Sequence, residues 1–411
     1  MRIGINGRFL VAKRTGVQRA AYNLLRTLVA IDRHNQYFIF TGESQIANPD
    51  WDYPNVTIIP APIRIGESFR NHLWEQFSLP KLAARYNVDL LHSPANMAPL
   101  LYRGKSVVHI HDLCFVVNPQ WYSFSFHTVY NFLIPRLARR ATRVITNSNN
   151  SKNDLLQFCD VPASKVSLIY WAVDDLFANR RVLSIDSNEP LLKEEFILYV
   201  GSLEPRKNIR SLIKAYEIYR HRNPQSRVKL VLIGGESPLF GEVRLKVKDY
   251  KEDVIFKGFV DDQLLREFYR RAKLVAYPSL YEGFGLPPIE AMASGTPVVT
   301  SNTSSIPEVV GTAAIMVNPY DTNQLAEAIE RVISDQALRQ QLIKSGYEQV
   351  EKFNWYRVAR NTLTVYHEVH NTDAGGGAPT KALPLETWRE LRQLEIEKLK
   401  ELAVGKLVPQ S

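Results

Sequence analysis

Short apolar, β-branched runs alternate with helical stretches along almost the whole chain, and no other feature restricts the fold as strongly. In the first half the runs are Arg2–Asn6, Tyr37–Phe40, Val56–Pro60, Leu90–His92, Val107–Ile110, Val144–Thr146 and Val166–Ile169. In the second they are Phe196–Val200, Lys229–Ile233, Val254–Phe256, Leu274–Tyr277, Val298–Thr300 and Ile315–Val317. Strands at this spacing, each followed by a helix, predict doubly wound parallel sheets. The polar stretch Asn179–Glu194 divides the runs into two sets. The expected class is therefore α/β, with two Rossmann-like domains, 1–180 and 181–352, facing a cleft. Ligands of such sheets bind beyond the carboxyl ends of the strands, and the loops at those ends carry the chemistry sought here.

The densest of these loops is Tyr281-Glu-Gly-Phe-Gly-Leu-Pro-Pro-Ile-Glu290, which follows the apolar run Leu274–Pro278. Pro287 and Pro288 suit a first helical turn, where absent N–H groups do little harm, and Gly295 is a helix stop. Glu282 is thus expected on a strand-to-helix loop and Glu290 in the first turn of the helix. Gly283 and Gly285 let backbone N–H groups approach a ligand at the positive end of that helix. A nest for phosphate beside two carboxylates for hydroxyls points to a phosphorylated sugar. Dipole pairing is the competing explanation of Glu290; it does not account for Glu282.

Gly201-Ser-Leu-Glu-Pro-Arg-Lys-Asn208 occupies the equivalent place after Phe196–Val200. Adjacent Arg206 and Lys207 suit a multiply charged anion, each cation contributing about 4 kcal/mol of attraction at 4 Å and an effective dielectric of 20. In the first half, His109-Ile-His111-Asp112 ends a strand and could donate to a sugar hydroxyl or a phosphate oxygen. Two histidines without a third ligand do not make a metal site. Thr15-Gly16-Val-Gln-Arg19 opens a helix, with Gly16 either a ligand approach or a plain turn, and Phe256 is either core or a base-lining residue.

Together, E-G-F-G-L-P-x-x-E-A-M-A-x-G-x-P-V and G-x-x-x-x-R-K-N resemble the signature of family 4 of the retaining, nucleotide-sugar-dependent glycosyltransferases. The resemblance runs from about residue 1 to 370. It implies the GT-B architecture, with residues 353–370 forming a helix that crosses back to the first domain. It further implies Arg206 and Lys207 on the donor diphosphate, Glu290 on the ribose, and Glu282 with the Gly283, Phe284, Gly285 and Leu286 backbone on the sugar and β-phosphate. His111, rather than His109, matches the family's active-site histidine; Gly16 and Phe256 match positions beside the diphosphate and the base. No metal cofactor is expected. Thr15–Arg19 and Leu73-Trp-Glu-Gln-Phe77 look most like the mannosyltransferase B group of bacterial O-antigen synthesis. This implies GDP-mannose as donor and a growing glycan or lipid-linked saccharide as acceptor.

Other classes are weaker. Gly4, Gly7 and Gly16 do not give the G-x-G-x-x-G spacing of a dinucleotide fingerprint, which disfavours a dehydrogenase. A non-catalytic sugar-nucleotide-binding or scaffold protein stays open. Nearly all of the net charge of +9 lies in residues 1–180, so an anionic partner is expected there, but no nucleic-acid-binding motif is present. Two cysteines are too few for a disulfide framework, and the start Met1–Gly7 lacks a signal-peptide layout. The expected place is the cytoplasm, peripheral on the inner face of a membrane: Arg136, Arg139, Arg140 and Arg143 share one helical face beside Trp121–Phe126, Tyr130 and Phe132. Residues 371–411 read as a Gly375–Gly377 linker and an amphipathic helix, Leu385–Val404, without an assigned role.

Overall fold

The computed structural model describes the chain through residue 373, except residues 13–15, 43–47, 64–67, 179–187, 236–246 and 248. The expected linker and helix at 375–404 lie outside the described residues, as does most of the polar stretch between the two sets of strands.

Seven strands make the first sheet: β1 Arg2–Asn6, β2 Gln36–Thr41, β3 Val56–Pro60, β4 Leu90–Ser93, β5 Ser106–His109, β6 Arg143–Thr146 and β7 Val166–Leu168. Six make the second: β8 Phe196–Val200, β9 Lys229–Ile233, β10 Val254–Gly258, β11 Leu274–Tyr277, β12 Val298–Ser301 and β13 Ile315–Val317. All pair in parallel, in the orders β3-β2-β1-β4-β5-β6-β7 and β10-β9-β8-β11-β12-β13. Parallel pairing requires helical crossovers that cover both faces, which is why β8 and β11 are buried along their whole length. In each sheet the order reverses once, between β1 and β4 and between β8 and β11. Chains leaving neighbouring strands on opposite faces open a crevice at that point.

The helix Trp355–His370 lies against the helix Gly16–Ile31 of the first domain. Its Tyr366 hydroxyl bonds His92 Nδ1 at 2.5 Å, and Glu368 pairs with Arg143 at 2.9 Å. The surface helix Phe124–Arg140 runs through Pro135, which sits inside it. Arg143 belongs to β6 rather than to that helix, so the expected face of four arginines is not one helical face. Arg139, Arg140 and Arg143 donate to the carbonyls of Cys159, Tyr102 and Ser164, and only Arg136 keeps to its own helix, bonding Phe132 O at 2.7 Å.

The two domains meet closely. Glu308, beyond β12, accepts from the backbone N–H groups of Asn149 and Asn150 at 2.8 and 3.1 Å and from the Tyr170 hydroxyl at 2.8 Å. A carboxylate at the positive end of the helix Asn149–Cys159 is favourable electrostatically as well as by hydrogen bonding. Glu308→Ala should therefore favour separation of the domains by about 1.5–3 kcal/mol, the range for hydrogen bonds to a charged group. The expected result is a larger radius of gyration by small-angle X-ray scattering; an unchanged radius would show that this contact does not hold the domains together.

Candidate active site

The second crevice is built around one carboxylate. Glu282 follows β11 and is almost wholly buried. Its Oε1 accepts from Lys207 Nζ at 2.5 Å, Ser279 Oγ at 2.6 Å and the Tyr277 hydroxyl at 2.8 Å, while Oε2 accepts from Arg206 Nη1 at 3.2 Å. Burial alone would raise its pKa, but Lys207 and Arg206 outweigh burial and bring it down to about 2. Burial, followed by repulsion from Arg206, lowers Lys207. Arg206 pairs in addition with Glu204 at 2.8 Å. Each cation is thus matched by a carboxylate and held in position.

Local structure explains the loop. Asn208 has φ +59°, a left-handed conformation that asparagine tolerates. Its amide donates to Pro278 O at 3.1 Å and Pro319 O at 2.7 Å, fastening the turn Pro205–Lys207 over the neighbouring strand ends. The helix after Glu282 spans Leu286–Ala293, entered from Gly285 at φ +109°. It begins early enough to place Glu290 in the second turn, which corrects the expected first-turn position. There, beyond easy reach of the helix end, dipole pairing no longer explains it.

Glu290 is buried beside different partners. The Tyr269 hydroxyl donates to its Oε2 at 2.8 Å. Burial raises its pKa to about 7, against an opposing pull from the Arg19 guanidinium and the Tyr269 bond.

Across the crevice stands the end of β5. His111 is buried, its Nε2 lies 3.0 Å from Pro94 O, and its ring packs on Trp171. Burial lowers its pKa to about 3 despite the Pro94 contact, so the ring is neutral. With the proton on Nε2 directed to a carbonyl, the remaining Nδ1 has no protein partner and can only accept. This reverses the donor role expected from sequence. His109 packs between His92 and His111, its ring centroid 4.8 and 5.7 Å from theirs.

Gly283 explains how close the domains come. A Cβ there would lie 2.5 Å from His111 O, so the residue must lack a side chain for the halves to meet. Its carbonyl also receives Ser151 Oγ at 3.4 Å. Gly285 has a left-handed φ and faces Ile306. Gly16 begins its helix near Leu286, the side-chain contact of a Cβ there being an ordinary 3.6 Å; nothing in the packing demands glycine. Phe284 is buried against Tyr170, Trp171 and Phe353, and only its backbone could serve a ligand. Phe256 is half-buried against the core of its domain.

Structure thus brings Glu282, Arg206 and Lys207 into one cluster, with His111 and Gly283 at the domain contact and Glu290 apart from that cluster, beside Tyr269 and within electrostatic reach of Arg19 of the first domain. Sequence reasoning missed Tyr277, Ser279 and Tyr269. The first two flank the Glu282 loop at a strand end and could have been suspected; Tyr269 sits on the helix Asp262–Arg271 without a distinguishing pattern. Among the described residues no group of three His, Cys, Asp or Glu side chains could hold a metal ion.

The carboxylate environments separate under titration. Below pH 4.5 Glu290 is neutral both folded and unfolded; between 4.5 and about 7 the unfolded chain loses the proton first, so stability falls as pH rises. That loss amounts to about 3 kcal/mol at one pKa unit per 1.36 kcal/mol and is complete above about pH 7. Glu290→Gln should be free of it. Urea unfolding at pH 5 and pH 8 should show the variant gaining on the parent by an amount of this order; an equal offset at both pH values would contradict the buried carboxyl.

Comparison with known proteins gives the arrangement a setting. Residues 14–175 match the family model Glycosyltransferase Family 4, and residues 183–349 match Glycosyl transferases group 1. The serotype-specific mannosyltransferase WbdA of Escherichia coli is 29% identical over 374 residues, covering 87% of this chain and 43% of its own. The chain therefore spans less than half the length of that relative. The O-antigen chain mannosyltransferase B of Escherichia coli is 27% identical over 279 residues, covering 64% of this chain and 70% of its own. Among solved structures, sucrose-phosphate synthase from Thermosynechococcus elongatus superposes with a TM-score of 0.66 at 24% identity, over 90% of this chain and 99% of its own. The fold is GT-B.

Proposed function

Since the chain belongs to the glycosyltransferases that join a family 4 domain to a group 1 domain, we propose that it transfers a hexose from a nucleotide sugar with retention of anomeric configuration. Mannose from GDP-mannose is the preferred donor, because the relatives include mannosyltransferases of O-antigen synthesis. The acceptor is a growing glycan or lipid-linked saccharide of the cell surface. The observation that carries this reading is the Glu282–Lys207–Arg206 cluster at the β8/β11 crevice.

In this reading Arg206 and Lys207 receive the diphosphate, already oriented by Glu282 and Glu204. As the bond from C1 to the β-phosphate oxygen breaks, they stabilise the charge developing on the leaving group. The acceptor oxygen bonds to C1 on the same face, and its proton passes to the departing phosphate oxygen. Glu290 accepts from the ribose hydroxyls, Glu282 and the Gly283–Leu286 backbone hold the sugar and β-phosphate, and His111 borders the sugar from the first domain. Gly16 and Phe256 border the donor. Domain closure excludes water that would hydrolyse it. A non-catalytic binding protein is the alternative, and turnover distinguishes the two.

A thermal-shift panel of GDP-, UDP- and dTDP-sugars should single out one donor, adding about 2.7 kcal/mol at 100 times its dissociation constant. Radiolabelled transfer should follow and should survive excess EDTA, since two side-chain cations occupy the place of a metal. Glu290→Ala should weaken binding of the bare nucleotide by about 1.5–3 kcal/mol, while Glu282→Ala lowers turnover. Loss of transfer in EDTA, restored by magnesium, would overturn these roles.

Attachment to an inner-membrane surface is the proposed location. Among the described residues no helix is long and apolar enough to cross a membrane. Phe124 is 85% exposed and Phe132 54%, both on the helix Phe124–Arg140, with the Arg136 guanidinium 3.5 Å above the Phe132 ring. With three arginines tied to carbonyls, these aromatics carry the contact. Liposome sedimentation should show binding that Phe124→Ser with Phe132→Ser removes more completely than Arg136→Gln; no binding by the parent chain would place the protein in solution, and binding unaffected by the double change would place the contact elsewhere on the surface.

A further inference from the structure

Two helices from different domains abut at their first residues. The Leu286 side chain stands 3.6 Å from where a Cβ on Gly16 would lie, so the start of the helix Gly16–Ile31 adjoins the start of the helix Leu286–Ala293. Residues three and four positions on share a helical face with the first, which sets Arg19 of the first domain toward Glu290 of the second. Arg19 is anchored there. Its Nη2 donates to Asp262 Oδ1 at 2.5 Å, an ion pair between the domains, and its guanidinium lies 5.8 Å from the centroid of the Phe177 ring. The same ring meets Tyr269 edge-on at 5.3 Å, and Tyr269 is the donor to Glu290.

We propose that Arg19 completes the ribose site from the opposite domain: it is the positioning residue that supplies the counter-charge under which Glu290 accepts from a nucleotide's 2′ and 3′ hydroxyls. The inference rests on the donor roles proposed above. It adds the first-domain residue on which selectivity for a ribose depends.

Charge and burial agree. A buried carboxylate needs a cation or several donors. Within its own domain Glu290 has the Tyr269 phenol, while Asp174 and Asp262 oppose its charge. Burial acts most strongly against that charge, and the Arg19 guanidinium acts most strongly for it. The attraction is mutual: burial lowers the pKa of Arg19, and Glu290, followed by Asp262, raises it by more. A ribose would bring two hydroxyl donors to a carboxylate that already faces a cation; a dideoxyribose would bring none. Because cation and carboxylate belong to different domains, filling the ribose site and bringing the domains together favour each other to the same extent. Arg206 and Lys207, by contrast, are paired with carboxylates of their own domain, so the diphosphate contact does not depend on Arg19.

The test is calorimetric titration of the full chain with GDP and UDP and with the 2′,3′-dideoxy analogue of each. The parent should bind the ribonucleotide of its preferred base at least tenfold more tightly than the analogue. Arg19→Gln should reduce that preference below threefold while the analogue's dissociation constant stays within twofold of the parent's. Arg19→Lys, which keeps the charge, should retain at least half of the preference. In a Glu290→Gln background, Arg19→Gln should change neither affinity by more than twofold, since the two residues act as one unit. If Arg19→Gln does not fold, Arg19→Met keeps the stem against Phe177 and takes its place. An unchanged preference in a folded variant overturns the proposal. So does an equal loss for both members of the pair, which would mark a contact that docks the domains or meets the phosphates. Equal binding of both members by the parent removes the ribose role of Glu290 and this proposal with it, and a parent that binds neither GDP nor UDP sinks the wider reading as well.

Discussion

A carboxylate removed from water must be neutralised where it stands, and the second domain is organised around that requirement at Glu282. Its partners come from two loops that are 75 residues apart in sequence yet adjacent in space, because β8 and β11 are neighbours at the point where the strand order reverses. Removing one member of such a buried pair costs about 3–5 kcal/mol, since the other is left uncompensated. The same cluster that stabilises the loops also holds Arg206 and Lys207 where a diphosphate would meet them. Stability and preorganisation are therefore one interaction here.

The first sheet repeats the device with other residues. Asn6 and Arg8 follow β1, Asn96 follows β4, and Glu75 reaches the crevice from the π-helical turn between β3 and β4. In both crevices the cations are paired with carboxylates, Arg206 and Lys207 with Glu282 and Glu204, and Arg8 with Glu75.

The strands were legible because strands covered on both faces leave uninterrupted apolar runs; Lys229–Ile233 and Leu274–Tyr277 were bounded correctly from that alone. The Glu282 loop was legible because glycine, proline and acidic residues crowd one short stretch. What remained hidden depends on tertiary placement. The start of the helix at Leu286 is set by the left-handed Gly285, a backbone property that the proline pair only suggested, and Glu290 moved one turn inward as a result. The arginines after Pro135 looked like a charged face, yet carbonyls of distant loops claim three of them. Asn6, Arg8 and Glu75 meet only because β1 and a turn some 70 residues later converge, and Glu308 caps a helix that begins 159 residues earlier. No local pattern reports such pairings.

Glu282 and Glu290 show how far environment overrides spacing. One sequence segment carries both, and both are buried, yet one carboxyl is brought down to about 2 and the other raised to about 7. The difference is the count and charge of donors: two cations, a hydroxyl and a phenol around Glu282, against a single phenol and a more distant guanidinium at Glu290. Glu282 has four donors within the protein and holds both cations in place. Glu290 has a single phenol to set against its burial, and the raised pKa is the penalty the fold leaves standing. On the reading proposed above, a diol donating to Glu290 offsets the cost of its burial and so favours the bound state, and selectivity for a ribose resides at that residue.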